Sequence, residues 1–179
     1  MKKLGLTALL LAAATSPALA AHSIGIYADE AAQSCEISDP GGGVLKTFYI
    51  VHTNEALGAI GSAWQLQWDP GMTMTWVGDD ATPYFKVGDA MNGASISYTQ
   101  CTTGTIKIDS VTMMSLGTSA ACSYLRLGPH PTQGHVIVDC GFRYFPFTSG
   151  EAIVNANGTC ACTVATEPTT WGTVKALYR

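Results

Sequence analysis

The chain has 179 residues, only 12% of them charged, and its formal net charge is −4. This length suits one domain with a sizeable core, and the lack of any basic cluster argues against nucleic acid or anionic lipid as a partner. A surface poor in charge and rich in Thr, Ser, Gly and Asn is common in extracellular β proteins, and it suits contact with sugars or with further copies of the chain.

The first twenty residues have the pattern of an export signal. Lys2 and Lys3 precede an apolar stretch from Leu4 to Ala14, and Ala18-Leu19-Ala20 forms a small-x-small site for signal peptidase. The stretch is too short for a membrane span, and no second apolar run of sufficient length follows. Residues 1–20 are therefore predicted to be a signal peptide. The mature chain then has seven Lys and Arg against thirteen Asp and Glu, a net charge of −6, and is secreted to the extracellular space, the cell surface or the periplasm.

The next part of the chain, residues 21–165, has the pattern of an all-β domain. Short apolar or alternating runs recur at a spacing of roughly ten residues between Gly, Pro, Asn and Asp, as in a sandwich or barrel. In the second run, Phe48 and Ile50 fall on one face and Tyr49 and Val51 on the other. The predicted strands are Ser23–Ala28, Leu45–Thr53, Ser62–Trp68, Met72–Val77, Tyr84–Val87, Ala94–Tyr98, Thr105–Met113, Cys122–Leu127, His135–Cys140, Ala152–Asn155 and Thr159–Val164.

The last segment, residues 166–179, differs from the domain before it. Pro168 breaks the strand pattern, and the apolar residues that follow have helix-like spacing. One interpretation is a short helix that docks on the sandwich and closes an open end of the core, and another is a disordered tail. A third is a sorting signal read by export or surface-anchoring machinery. The residues that would carry the sorting signal are Trp171, Lys175, Leu177, Tyr178 and Arg179.

Two resemblances bear on the fold. The segment Gly61–Met74 contains a glycine, alternating apolar residues and an aromatic-Asp-Pro turn before an apolar strand, and it resembles the early part of cohesin-type sandwiches. Phe48–Asn54 and Gly104–Ile108 fit strands of the same layout. The resemblance implies an all-β, cohesin-like and immunoglobulin-like β-sandwich with a nine-stranded jelly roll, and it does not imply a dockerin partner.

The second resemblance involves Ile24–Asp29, Cys160-Ala161-Cys162 and the ending Thr170–Arg179. These segments are similar to a group of secreted proteins from little-cultured bacterial phyla that has no known activity to carry over. The resemblance makes the tail look like a recurring module, which favours the sorting interpretation.

Six cysteines lie in the mature chain, in a compartment where disulfides persist, and six can pair in about fifteen ways. Cys122 and Cys140 are symmetric about Pro131, so a hairpin of their two strands predicts a Cys122–Cys140 bond. In Cys160-x-Cys162 both thiols face the same way and can reach separate partners, for which Cys35 and Cys101 remain. A metal or redox role lacks a matching cluster nearby. The six are Cys35, Cys101, Cys122, Cys140, Cys160 and Cys162.

No catalytic or metal-binding pattern is complete. Cleavage after Ala21 would make His22 the N-terminal residue, able to bind copper through its amine and imidazole as in secreted copper oxygenases that act on polysaccharides. The signal favours cleavage after Ala20, and His52, His130 and His135 offer no recognisable second ligand. Asp79-Asp80 lacks the spacing of a calcium loop, and no Gly-x-Ser-x-Gly elbow occurs. Neither a cofactor nor a metal is predicted.

The tryptophans allow two interpretations. Trp64 and Trp68 share a strand face with Leu66 between them, which favours the core. On an exposed face, Trp64, Trp68 and Trp76 would form a flat platform for sugar rings.

The sequence therefore predicts a non-catalytic secreted or cell-surface protein with a role in adhesion, matrix formation or self-assembly. Its partner would be a second copy or another extracellular protein. The alternative is a carbohydrate-binding module on polysaccharide, and a further alternative is a copper-dependent polysaccharide-active enzyme.

Overall fold

A computed structural model describes residues 22–162 of the chain, apart from the side chains of residues 55 and 56. Within this range the chain forms strands and no helix, so no helix there is long and apolar enough to cross a membrane. The strands are β1 Ser23–Tyr27, β2 Glu36–Ile37, β3 Leu45–Trp68, β4 Met74–Asp80, β5 Phe85–Asp89, β6 Gly93–Ser115, β7 Ser123–Gly128, β8 Val136–Asp139, β9 Tyr144–Phe145, β10 Thr148–Ser149 and β11 Ala152–Val154.

Two long strands, β3 and β6, organise the fold. They pair antiparallel from Leu45 opposite Met114 to Trp64 opposite Ala94. Each unites two predicted strands, since β3 includes 45–53 and 62–68 and β6 includes 94–98 and 105–113. The pairing passes through register shifts, and Gly58 has the positive φ of +63° that such a bulge favours.

The other strands attach along β3 and β6. The first half of β3 pairs with β1, and its second half pairs with β8 and then, from Gln65 to Trp68, with β7. Strand β6 pairs with β5 through its first half and with β4 through its second half. Strand β7 continues to β11 and β2, while β9 and β10 extend β8 and β1. Because β3 pairs into both layers, it joins the two sheets of the sandwich.

A single core lies between the layers. Phe48, Ile50, Trp64, Leu125 and Ile137 are fully buried there, and they come from three strands, β3, β7 and β8. Burial of large apolar side chains is the main favourable contribution to folding. The all-β sandwich predicted from alternation is confirmed.

One predicted strand is wrong over its described part. Residues 159–162, the start of the predicted strand Thr159–Val164, form no strand, and Asn157 and Cys160 make an isolated bridge. The side chain of Asn157 accepts hydrogen bonds from the backbone N–H of Thr159 at 2.8 Å and from its hydroxyl at 2.6 Å. These local bonds hold a tight turn at Gly158 in place of an extended strand. The two-residue strands β2, β9 and β10 were not predicted.

Candidate functional site

The outer surface of one half of the larger sheet presents a face of small and apolar residues. Residues directly opposite each other in paired strands share a face of the sheet, and the register across β5, β6, β3, β8 and β9 is known. Ile96 and Ile137 of these strands are buried, which identifies the inner side. The opposite side, called the groove face here, consists of Phe85, Val87, Ser95, Ser97, Gly61, Ala63, Val136, Val138 and Tyr144.

The groove face has a low floor and higher apolar walls. The floor lies on the two central strands, β3 and β6, and contains only Gly, Ala and Ser, whereas the walls are Phe85 and Val87 on one side and valines of β8 on the other. A cavity of about 320 Å³ lies between the walls. Phe85 is 66% exposed and Val87 is 60% exposed, and Tyr144 at the β9 edge is 73% exposed. None of the nine residues is charged.

Gly61 keeps the floor low. A Cβ at this position would lie 2.7 Å from the backbone oxygen of Ile96 on the neighbouring strand. Any larger residue would therefore push β3 and β6 apart at the centre of the groove.

Strand β5 has the opposite orientation to the one that its sequence indicates. In Phe85-Lys86-Val87 the two apolar side chains would ordinarily face the core and the lysine would face water. The structure points Lys86 inward, where it pairs with Asp79 at 2.7 Å and with Asp109 at 3.3 Å. Sequence reasoning missed Phe85 and Val87 as surface residues, because the acids that hold Lys86 come from other strands.

The predicted sugar platform is not assembled on the surface. Trp64 is fully buried at the centre of the core, so it is not available to stack on a sugar ring. Trp68 and Trp76 are half-buried and pack against the same core. The position of Trp64 therefore supports the interpretation of this tryptophan as a core residue.

The histidines lie in two places. His22 and His52 are buried with ring centroids 5.7 Å apart, and the His52 Nδ1 lies 2.9 Å from the hydroxyl of Tyr98. Sequence spacing does not reveal this approach of His22 to His52, because the pairing of β1 with β3 brings the two residues together across a separation of 30 residues in the chain. Among residues 22–162, no group of three or more His, Cys, Asp or Glu side chains is placed to hold a metal ion. His130 lies on the loop before β8, where its ring accepts the Thr132 N–H.

The prediction of a Cys122–Cys140 disulfide is wrong. Strands β7 and β8 do not pair with each other, because each pairs with a different part of β3. Ala59 of β3 lies opposite both Thr102 and Asp139, which brings Cys101 beside Cys140. The three bonds are Cys35–Cys162, Cys101–Cys140 and Cys122–Cys160.

The two thiols of Cys160-x-Cys162 reach separate partners, as predicted, and Cys162 bonds the expected Cys35. The other expected partner, Cys101, is wrong, because Cys160 bonds Cys122 and Cys101 bonds Cys140. Gly58 makes room for the neighbouring bond, since a Cβ there would lie 2.7 Å from the Cys140 sulfur and 3.1 Å from the Cys101 sulfur.

We expect peptide mapping of the exported, unreduced protein to recover these three pairs. Cys101 and Cys140 flank the same residue of β3, so this bond should form whichever order the others follow. Mapping without reduction, with the free thiols alkylated first, gives the connectivity directly. A peptide that joins Cys122 to Cys140 would contradict the pairing of β7 and β8 with β3.

The remaining predicted residues give no assembled site. The two acids of the candidate calcium loop diverge, since Asp79 points inward to Lys86 and Asp80 accepts the Thr82 N–H in a surface turn. The signal peptide and the tail lie outside the described residues. The tail residues concerned are Trp171, Lys175, Leu177, Tyr178 and Arg179.

The fold resembles those of solved cohesin modules. No protein-family model and no curated protein matches this chain. A type II cohesin domain from the cellulosome of Acetivibrio cellulolyticus superposes with a TM-score of 0.54 at 14% identity, covering 75% of this chain and 95% of the cohesin. The complex Coh-OlpA–Doc918, a type I cohesin–dockerin complex from Clostridium thermocellum, gives a TM-score of 0.51 at 10% identity, covering 75% and 99%. The chain therefore has a cohesin-like β-sandwich fold.

Proposed function

We propose that this protein is a secreted, non-catalytic binding module whose groove face takes up an amphipathic helix of another extracellular protein. The observation that carries the proposal is the orientation of β5, which has its apolar side chains outward and its lysine inward. Phe85 and Val87 are turned to solvent while a charged lysine is buried behind them. Lys86 is paired with two acids, but the desolvation of buried ion pairs still makes them no more stabilising than apolar residues of similar size. Turning Phe85 and Val87 inward would avoid that cost, so the arrangement favours a function for the outward apolar residues over stability alone. Exposed apolar patches of this kind mark interaction surfaces.

The dimensions of the groove favour a helix as the occupant. Its walls stand on β5 and β8, three strand spacings apart, which is about 14 Å. A helix with its side chains is about 10–12 Å across. The small floor residues allow close approach, and the uncharged walls suit the apolar stripe of an amphipathic helix.

Other observations support an extracellular role. Three disulfides are typical of proteins in an oxidising compartment, and residues 1–20 have the pattern of a signal peptide. One of the solved neighbours with the cohesin fold, Coh-OlpA, was crystallised in complex with a dockerin. Adhesion, matrix formation and assembly are all served by a module that binds another protein.

The test compares charge substitutions inside and outside the groove. Val87→Asp and Phe85→Asp place a carboxylate on a wall without touching the core, and Leu116→Asp is the matched control, since Leu116 is 65% exposed elsewhere on the surface. A displayed library of amphipathic helical peptides serves as the probe. We expect selected peptides to carry an apolar stripe and to bind the wild type and Leu116→Asp. Their affinity for either groove variant should fall at least tenfold.

Two further measurements separate the alternatives. If the wild type binds a polysaccharide on a glycan array and Val87→Asp does not, the ligand of the groove face is a carbohydrate and not a helix. If the wild type sediments as a dimer and Val87→Asp sediments as a monomer, the groove face binds a second copy of the chain. Peptides that bind Val87→Asp as tightly as the wild type would contradict the proposed site.

A further inference from the structure

Behind the groove face, three charged side chains from three adjacent strands converge in the interior. Lys86 extends inward from β5, Asp79 from β4 and Asp109 from β6. The Lys86 Nζ lies 2.7 Å from Asp79 Oδ2, and 3.3 Å and 3.4 Å from the two oxygens of Asp109. The Asp109 side chain is fully buried, that of Asp79 nearly so, and that of Lys86 mostly so.

The charges of this cluster do not balance. Burial raises the pKa of Asp109 to about 6, against the opposing effect of Lys86 and with a further upward contribution from Asp79. One lysine thus faces two acids, and an uncompensated buried charge is strongly unfavourable. A substantial fraction of Asp109 is consequently the neutral acid in mildly acidic solution, and a neutral carboxyl carbon is a better electrophile than a carboxylate.

The approach of Lys86 to Asp109 is also suited to reaction. Nζ is almost equally distant from both oxygens of Asp109. The carboxyl carbon lies between those oxygens, so it is within about 4 Å of Nζ. Groups that a fold holds near attack distance react with effective concentrations of about 10⁵–10⁸ M, which offsets the unfavourable equilibrium for amide formation in water.

We propose that Lys86 and Asp109 join through an isopeptide bond between Nζ and Cγ, with Asp79 carrying the protons. Asp79 first takes a proton from the ammonium group to give the free amine. The amine lone pair attacks Cγ of the protonated Asp109, forming the C–N bond and a tetrahedral intermediate. Asp79 passes its proton to the departing hydroxyl and takes the second proton from nitrogen. One C–O bond breaks, one water leaves, and no oxidant or cofactor takes part.

The bond would fasten β5 to β6 from the inner side. Strand β5 pairs only with β6 among the described residues, so its hold on the sheet is otherwise five backbone pairs. A covalent link through Lys86 would fix the orientation that turns Phe85 and Val87 outward. It would form whether or not the groove binds a helix, so its test is independent of that proposal.

The test is the mass of the exported protein after reduction and denaturation. We expect a mass lower by one water than the sequence of the mature chain requires. Trypsin should not cut after Lys86, because its amine is acylated, and residues 47–107 should be recovered attached to residues 108–126. Fragmentation should place the branch between Lys86 and Asp109.

Three variants make the result decisive. Lys86→Arg keeps the charge and Asp109→Ala removes the electrophile, and both should restore the full mass. Lys107→Arg is the control, since Lys107 forms a surface pair with Glu30 at 2.7 Å, and it should keep the loss of water. A wild-type protein with the full mass and normal cleavage after Lys86, including after prolonged incubation at pH 6, would overturn the proposal and leave an ion-paired cluster.

Discussion

Replacing Trp64 by alanine is expected to lower the free energy of unfolding by about 3–5 kcal/mol, the usual cost of removing a buried tryptophan. Trp64 is the largest fully buried side chain and lies on β3 at the end of its pairing with β6. Its indole Nε1 has no hydrogen-bond partner among the described residues. The loss is therefore a loss of packing, through transfer of apolar area and the cavity that is left behind. Urea denaturation measures it.

Trp68→Ala is the matched control for Trp64→Ala. Trp68 lies on the same strand and is half-buried, so its replacement should cost clearly less. The sugar-platform interpretation makes the opposite prediction for Trp64. If Trp64→Ala left stability unchanged and abolished binding to a polysaccharide, Trp64 would belong to a binding surface and the core position would be wrong.

Local pattern was sufficient for the fold but not for the lengths of its strands. Alternation located the strand in which Phe48 and Ile50 face the core, and the turn at Asp69-Pro70 located the end of β3. The same alternation predicted two separate strands for each of β3 and β6, because Gly58 and Gly104 interrupt the pattern of apolar residues. Both glycines lie in the region where the pairing of β3 with β6 shifts register, and the long strands continue across it. A glycine at a bulge and a glycine at a turn look alike in sequence.

The candidate site depended on contacts that sequence spacing does not reveal. The orientation of β5 was set by Asp79 and Asp109, which reach Lys86 only once β4, β5 and β6 are aligned. The disulfide preference failed for the same reason. Symmetry about Pro131 is a local feature, whereas the positions of Cys122 and Cys140 are decided by where β7 and β8 attach to β3.

Acid is expected to destabilise the protein through His52. Burial lowers the pKa of His52 from 6.5 to about 3, with a smaller contribution from His22. Between these values the unfolded chain binds a proton that the folded chain does not. The stability due to neutral His52 is thus complete above pH 6.5 and is lost as the pH falls towards 3. From pH 7 to pH 3.5 this amounts to about 4 kcal/mol.

The comparison with His52→Asn isolates this contribution. Asparagine keeps a polar group near the Tyr98 hydroxyl, which His52 contacts at 2.9 Å, but has no proton to gain. Asp109 acts in the opposite direction wherever its carboxyl is not joined to Lys86, because its raised pKa relieves a destabilisation as the pH falls. Any such effect is common to both proteins. Between pH 7 and pH 3.5, the free energy of unfolding of the wild type should therefore fall by about 4 kcal/mol more than that of His52→Asn. His130→Asn, on the loop before β8, should follow the wild type. Parallel curves for His52→Asn and the wild type would show that His52 accepts its proton in the folded state, and the buried pair with Tyr98 would have to open to admit it.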